Sequence, residues 1–113
     1  MENFIYKICL EDDWSNAEKI GKFKGSKKDL NDGYIHFSKK NQINSTLKKY
    51  FFNQDKLILL KVEVLNLKNL KWEQSQNEEL YPHLYSILNL EHVKNFFKIT
   101  LKNDGTHKLP LNL

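Results

Sequence analysis

Two short clusters carry the residues with the most chemistry, Asp32-Gly33-Tyr34-Ile35-His36-Phe37-Ser38 and Tyr81-Pro82-His83-Leu84-Tyr85, with Trp72-Glu73 between them. Each cluster sets a histidine between apolar residues, where an ionisable ring is costly to bury without a partner or a task. In an extended chain His36 points away from Ile35 and Phe37, onto the face of Tyr34 and Ser38. That face gathers a ring, an imidazole and a hydroxyl, able to hold a ligand's polar edge or ribose hydroxyls, with Tyr34 as a stacking surface. The structural alternative is that His36 bonds a loop backbone and Ser38 caps the following helix. If 81–85 is extended, Tyr81, His83 and Tyr85 share a face suited to clasping a planar ligand. The competing reading is an edge strand with amphipathic tyrosines at the core boundary. Glu73, next to Trp72, is either raised in pKa and a base, or ionised and an acceptor for a sugar hydroxyl or a developing cation. A solvated rim position is the third possibility.

Other chemistries find less support. His92 and His107 lie in a polar turn and a terminal hairpin, and the four histidines lack metal-site spacing, so no metal is expected. Gly21, Gly25, Gly33 and Gly105 are scattered singly, which excludes a Rossmann or Walker phosphate loop. Cys9 is the only cysteine. It therefore forms no internal disulfide, fits a reducing compartment and reads as a small core residue.

The elements that must position these residues follow from periodicity. Phe4 to Leu10 reads as a strand with apolar groups on both faces. Asp12 or Asp13 caps a short helix through Trp14, Ala17 and Ile20, stopped by Gly21. Residues 25–29 read as a loop, and Asp32-Gly33 turns the chain into an extended piece from Tyr34 to Phe37. Ser38 caps a helix that turns Ile43, Leu47 and Tyr50 or Phe51 inward and leaves Lys39, Lys40, Lys48 and Lys49 solvated. Leu57 to Val64 is the strongest strand, apolar enough for burial on both faces. Leu70 to Glu73 is a shorter extended piece, and Ser86 to Val93 reads as a loop with one helical turn. Phe97, Ile99 and Leu101 mark a half-exposed strand that Asn103-Asp104-Gly105 turns into a hairpin with Thr106 to Leu109. The result is a single α+β domain spanning 1–113, without repeats or linkers.

Composition sets the outer bounds. The chain has 113 residues, 40% of them hydrophobic, enough for one core but not two. No apolar run approaches the roughly 18 residues of a membrane span, and the start lacks signal-peptide order, so a cytoplasmic protein with no membrane partner is expected. All eighteen basic residues are lysine, and the formal charge is +4. Without arginine's planar fork, base-specific DNA reading is disfavoured, although a diffuse lysine surface can attract RNA or anionic ligands.

At these residues the chain resembles the bacterial family catalogued as domain of unknown function 952. The likeness runs through Ile5-Tyr6-Lys7, Trp14, Gly25-Ser26, Asp29, the 32–38 cluster, the Leu57 to Val64 strand, Leu70-Lys71-Trp72-Glu73 with Ser75, and Pro82-His83-Leu84-Tyr85. The resemblance implies an ADP-ribosyltransferase-like fold, a split pair of small antiparallel sheets with a few short helices that grips NAD in a cleft. Ile35-His36-Phe37-Ser38 is also similar to the Val-His-Leu-Ser stretch of RNA 2'-phosphotransferases of that fold. Those enzymes hold phosphate with arginines and place a histidine after the first-strand tyrosine, whereas Lys7 follows Tyr6 here.

By resemblance, NAD or a related nucleotide is the expected small-molecule ligand and substrate. Glu73 would polarise the ribose hydroxyl as the glycosidic bond breaks. His36 and Ser38 would hydrogen-bond ribose or phosphate, with His83 lining the site and Tyr85 or Tyr34 stacking on nicotinamide. An ADP-ribosyl-transfer enzyme is one reading and a non-catalytic nucleotide or metabolite binding module the other. An RNA-surface binder ranks third, because the aromatic residues mostly fall at core spacing.

Overall fold

The computed structural model describes residues 3–75 and 77–113. Its spine is an antiparallel sheet of β1 (Phe4–Leu10), β4 (Leu57–Glu63), β8 (Val93–Leu101) and β9 (His107–Lys108), in the order β1-β4-β8-β9. β1 and β4 run in unbroken register from Phe4↔Glu63 to Leu10↔Leu57. Both are apolar on both faces because both faces are covered. Ile5, Cys9, Ile58, Leu60 and Val62 join a core with Trp14, Ala17, Phe23, Ile35, Phe37, Leu84 and Leu88. The alternate residues Tyr6, Ile8, Leu57, Leu59 and Ile99 pack with Ile43 and Leu47 on the opposite side. This is the period-two alternation of a strand between two layers.

Helix α1 (Glu11–Ile20) follows β1 without a side-chain cap, its N-cap being Leu10. Asp12 and Asp13 lie within the first turn instead of capping it, where with Glu11 they complement the helix dipole. Gly21 ends the helix, with its N–H on Ala17 O. Trp14 and Ala17 are buried, whereas Ile20 is exposed.

The expected loop at 25–29 is instead the entry to helix α2 (Lys27–Asp32). Ser26 and Asp29 form a capping box, each side chain accepting from the other's backbone N–H. The expected Ser38 cap is also corrected. Ser38 exchanges backbone hydrogen bonds with Tyr6, at 2.9 and 2.8 Å, and a 3-10 turn (Lys40–Gln42) intervenes before α3 (Ile43–Tyr50). Ile43 and Leu47 are buried; Phe51, not Tyr50, is the aromatic packed against that core.

Two smaller antiparallel sheets complete the α+β fold, so among the described residues the sheets number three rather than a split pair. β2 (Lys22–Phe23) pairs with β7 (Leu88–Asn89), and β3 (Ile35–His36), β6 (Leu80–Leu84) and β5 (Leu70–Gln74) lie in the order β3-β6-β5. The expected 86–93 loop therefore contains a strand, followed by a 3-10 turn (Leu90–His92). β8 starts at Val93, upstream of the alternating run, because Lys94-Asn95 interrupts the apolar period and a register shift accommodates it at Lys61/Val62. Among the described residues no helix is long and apolar enough to cross a membrane.

The terminal hairpin pairs Thr100↔Lys108 and Leu101↔His107 and turns at Gly105 with φ +88°. A Cβ there would stand 2.5 Å from Phe52 Cζ. Phe52 is 55% exposed and free to swing, so the backbone carries most of the penalty. Gly105→Ala is expected to cost about 1–2 kcal/mol from left-handed strain. A urea midpoint unchanged from wild type would contradict this.

Candidate functional site

β6 is the central strand of its sheet, not an edge. Pro82 is tolerated there because its carbonyl accepts from Phe37 N–H at 3.0 Å while its nitrogen has no hydrogen to return. His36 faces His83 across β3-β6, while Lys71 and Glu73 face His83 and Tyr81 across β5-β6. Pro82 and Leu84 turn to the buried side. The alternate positions bring His36, His83, Glu73 and Tyr85 onto the other face.

Tyr34, entering β3, lies among their rings. Its centroid is 4.3 Å from His83 in a stacked arrangement, 4.6 Å from His36 and 5.1 Å from Tyr85. His36 and His83 meet edge to face at 5.5 Å. Lys71 Nζ lies 4.8 Å from the Tyr85 centroid, a cation over a ring.

The two histidines have unlike partners. His36 Nδ1 is 2.7 Å from Asp29 Oδ1, and its Nε2 is 2.9 Å from Asp32 Oδ2. Both contacts are satisfied together only when both ring nitrogens carry hydrogens. His83 has a single carboxylate, with Nδ1 2.8 Å from Glu73 Oε1. The Tyr85 hydroxyl donates to the same oxygen at 2.6 Å.

Behind His36 lies a buried ion pair absent from the sequence-based site. Lys7 shares a face of β1 with Ile5 and Cys9, and its Nζ reaches Asp29 Oδ2 at 2.8 Å and Oδ1 at 3.0 Å. Asp29 also accepts from Ser26 N at 2.8 Å and His36 N at 3.1 Å. Gly25 permits this packing. A Cβ there would fall 2.9 Å from Asp29 Cβ, at φ +116°.

Burial pushes the Asp29 carboxyl up, but the His36 hydrogen bond, the Lys7 charge and hydrogen bond, and the Ser26 N–H outweigh it and hold Asp29 well below the usual carboxylate range. Burial pulls the Lys7 ammonium down, with Asp29 opposing that pull. Burial also pushes the Cys9 thiol up to about 12, which fits a core residue and not a nucleophile.

Glu73 moves the other way from a raised-pKa base. Hydrogen bonds from Tyr85 and then His83 lower its carboxyl and outweigh the desolvation that raises it, while Trp72 lies on the opposite face of β5. The same bond pushes the Tyr85 phenol up to about 12.

Of the residues singled out by sequence, the structure thus brings Tyr34, His36, Glu73, His83 and Tyr85 together. Ser38 stands apart from them, buried, with Oγ 3.1 Å from Thr46 Oγ1. Tyr81 directs its hydroxyl to Glu79 at 3.4 Å. His107 is pinned by Nε2 at 2.7 Å from Gln54 O. Sequence reasoning missed Lys7 and Asp29, although a Ser-x-x-Asp capping box and a lysine on an apolar strand face were visible signals. Among the described residues no group of three His, Cys, Asp or Glu is arranged to hold a metal. A groove of about 630 Å³, lined by residues including Lys22, Glu63, Leu67, Asn89 and Lys94, contains none of the cluster. The cluster can therefore be described as a shelf of rings and carboxylates on one sheet face.

The model of the family described as "Protein of unknown function (DUF952)" matches residues 8–96. The crystal structure of protein CC0527 from Caulobacter crescentus is 40% identical, with 94% of each chain covered and a TM-score of 0.89. Its solution structure gives 40% identity, 93% and 91% coverage and a TM-score of 0.82. No curated protein matches. On the family match and this likeness, the chain belongs to the DUF952 family of proteins of unknown function.

Proposed function

We propose that the ring and carboxylate shelf is a nucleotide site in an ADP-ribosyltransferase-like domain, taking NAD or a related nucleotide in the cytoplasm. One observation carries this reading: Tyr34, His36, Glu73, His83 and Tyr85, drawn from three strands and a turn, converge on one face. Tyr34 and Tyr85 offer faces for a planar ring. Glu73 is ionised, and among the described residues its Oε2 has no hydrogen-bond partner, which suits it to accept from a ribose hydroxyl. Ser38 has no direct part, since its hydroxyl is engaged with Thr46.

The lack of arginine favours the second reading, binding without group transfer, because lysines grip a diphosphate with less geometric control. One experiment separates the two. NAD, ADP-ribose and a short RNA are titrated while the histidine ring signals are followed by NMR, with nicotinamide release assayed in parallel. These signals are preferable to tryptophan fluorescence because Trp72 faces away from the shelf.

Saturable movement of His36 and His83 with NAD is expected. Nicotinamide release supports transfer, and its absence supports a binding module. Rings unmoved at about 1 mM ligand, the weakest affinity worth calling specific here, overturn the nucleotide reading. Salt-sensitive RNA binding alone assigns the activity to the lysine surface.

A further inference from the structure

We infer that His83 is the proton acceptor of this site, working through Nε2, and that Glu73 is its positioning residue. This rests on the nucleotide reading above and extends it to the second reactant, a hydroxyl-bearing acceptor or water. The unequal partners of the two histidines support the assignment. His36 is in contact with a carboxylate at each ring nitrogen. His83 is held at Nδ1 alone, and among the described residues no partner stands at its Nε2.

That nitrogen is also reachable. Among the described residues, the buried side-chain polar atoms without a partner are Trp14 Nε1 and His107 Nδ1. Nε2 of His83 is unpartnered yet not among them, and the side chain keeps 12% exposure. A carboxylate at Nδ1 keeps the hydrogen there and leaves the Nε2 lone pair free, the division of labour found wherever a carboxylate orients a histidine base. Tyr34, stacked at 4.3 Å, fixes the ring plane from the other side.

The acceptor hydroxyl gives its proton to His83 Nε2 as its oxygen bonds to C1′ of the nicotinamide-bearing ribose. The bond from C1′ to the nicotinamide nitrogen breaks, and its electron pair stays on that nitrogen, cancelling the pyridinium charge. His83 becomes an imidazolium whose Nδ1–H remains on ionised Glu73, which stabilises the charge.

The test reads the tautomer directly. Long-range ¹⁵N–¹H correlation on the intact protein near neutral pH is expected to show His83 with hydrogen on Nδ1 and none on Nε2. Glu73→Ala should shift His83 towards the Nε2-protonated form while the fold, read from the core methyl signals, is kept. Diethyl pyrocarbonate, which acylates an unprotonated ring nitrogen, should modify His83 before His36, located by mass spectrometry, although His36 is the more exposed ring at 26% against 12%, because both His36 nitrogens are engaged by carboxylates.

Hydrogen on Nε2 of wild-type His83, or modification of His36 first, overturns the assignment whether or not NAD binds. Conversely, the expected tautomer and reactivity with no response to NAD removes the nucleotide reading and leaves the proton acceptor in place for a different donor.

Discussion

Asp29→Ala is expected to destabilise the protein by about 3–5 kcal/mol, the cost of leaving one member of a buried ion pair alone. Lys7 has only 6% of its side chain exposed, and Asp29 1%. Removing the carboxylate strands the ammonium beside Cys9 and Ile5, and also strips acceptors from Ser26 N, His36 N and His36 Nδ1. Lys7→Met should cost less, because Asp29 keeps those donors and methionine fills the stem's space. Lys7→Met combined with Asp29→Asn should recover part of the loss, since neither variant side chain is charged. Denaturant unfolding of the four proteins checks the order. A loss below about 1 kcal/mol for Asp29→Ala would show that the pair is solvated after all.

The sign of the pH dependence follows from the same carboxylate. The folded pKa of Asp29 lies below its unfolded value, near 3.9, so the folded state binds fewer protons in that range. Its contribution is full above the unfolded value and is lost as the pH falls through the folded one. Unfolding midpoints should therefore drop on acidification below about pH 4 in wild type. The drop should be shallower in Asp29→Asn, which has no carboxylate to protonate at this position.

Strand periodicity made much of the site legible. Alternation alone placed His83 and Tyr85 on one face, and the turn at Asp32-Gly33 delivered Tyr34 and His36 to the neighbouring strand. What periodicity could not show was which strand lies beside which. The pairing His36↔His83 joins residues 47 positions apart through a register no local signal encodes. The pairing of Lys7 with Asp29 was lost for the same reason, its members being 22 residues apart.

Helix α2 was misread because Gly25-Ser26 announces a loop more loudly than a six-residue helix announces itself. The Trp72-Glu73 pair shows the opposite failure. Sequence neighbours suggested a carboxylate beside an indole, but consecutive strand residues point to opposite faces, and Glu73 was left with two hydrogen-bond donors instead.

Tyr85 is expected to titrate near 12 in wild type and to return towards its ordinary value of 10.0 in Glu73→Gln. Two pH units correspond to about a hundredfold change in proton affinity. The cause is local. The phenol donates to Glu73 Oε1 at 2.6 Å, and losing its proton would both break that bond and set two anions against each other. Burial is the second-largest cause, ahead of the charge repulsion. Glutamine keeps an acceptor oxygen but no charge, so it removes the repulsion while sparing the shape. The phenolate absorbance of wild type minus that of Tyr85→Phe isolates this residue among the five tyrosines. A wild-type value near 10 would mean that the hydroxyl does not hold Glu73 and that Oε1 is shared with His83 alone. A value near 12 ties Tyr85, Glu73 and His83 into one unit, in which the tyrosine holds the carboxylate ionised and the carboxylate holds the imidazole. Tyr85→Phe should then raise the Glu73 carboxyl and loosen the His83 tautomer without touching either residue.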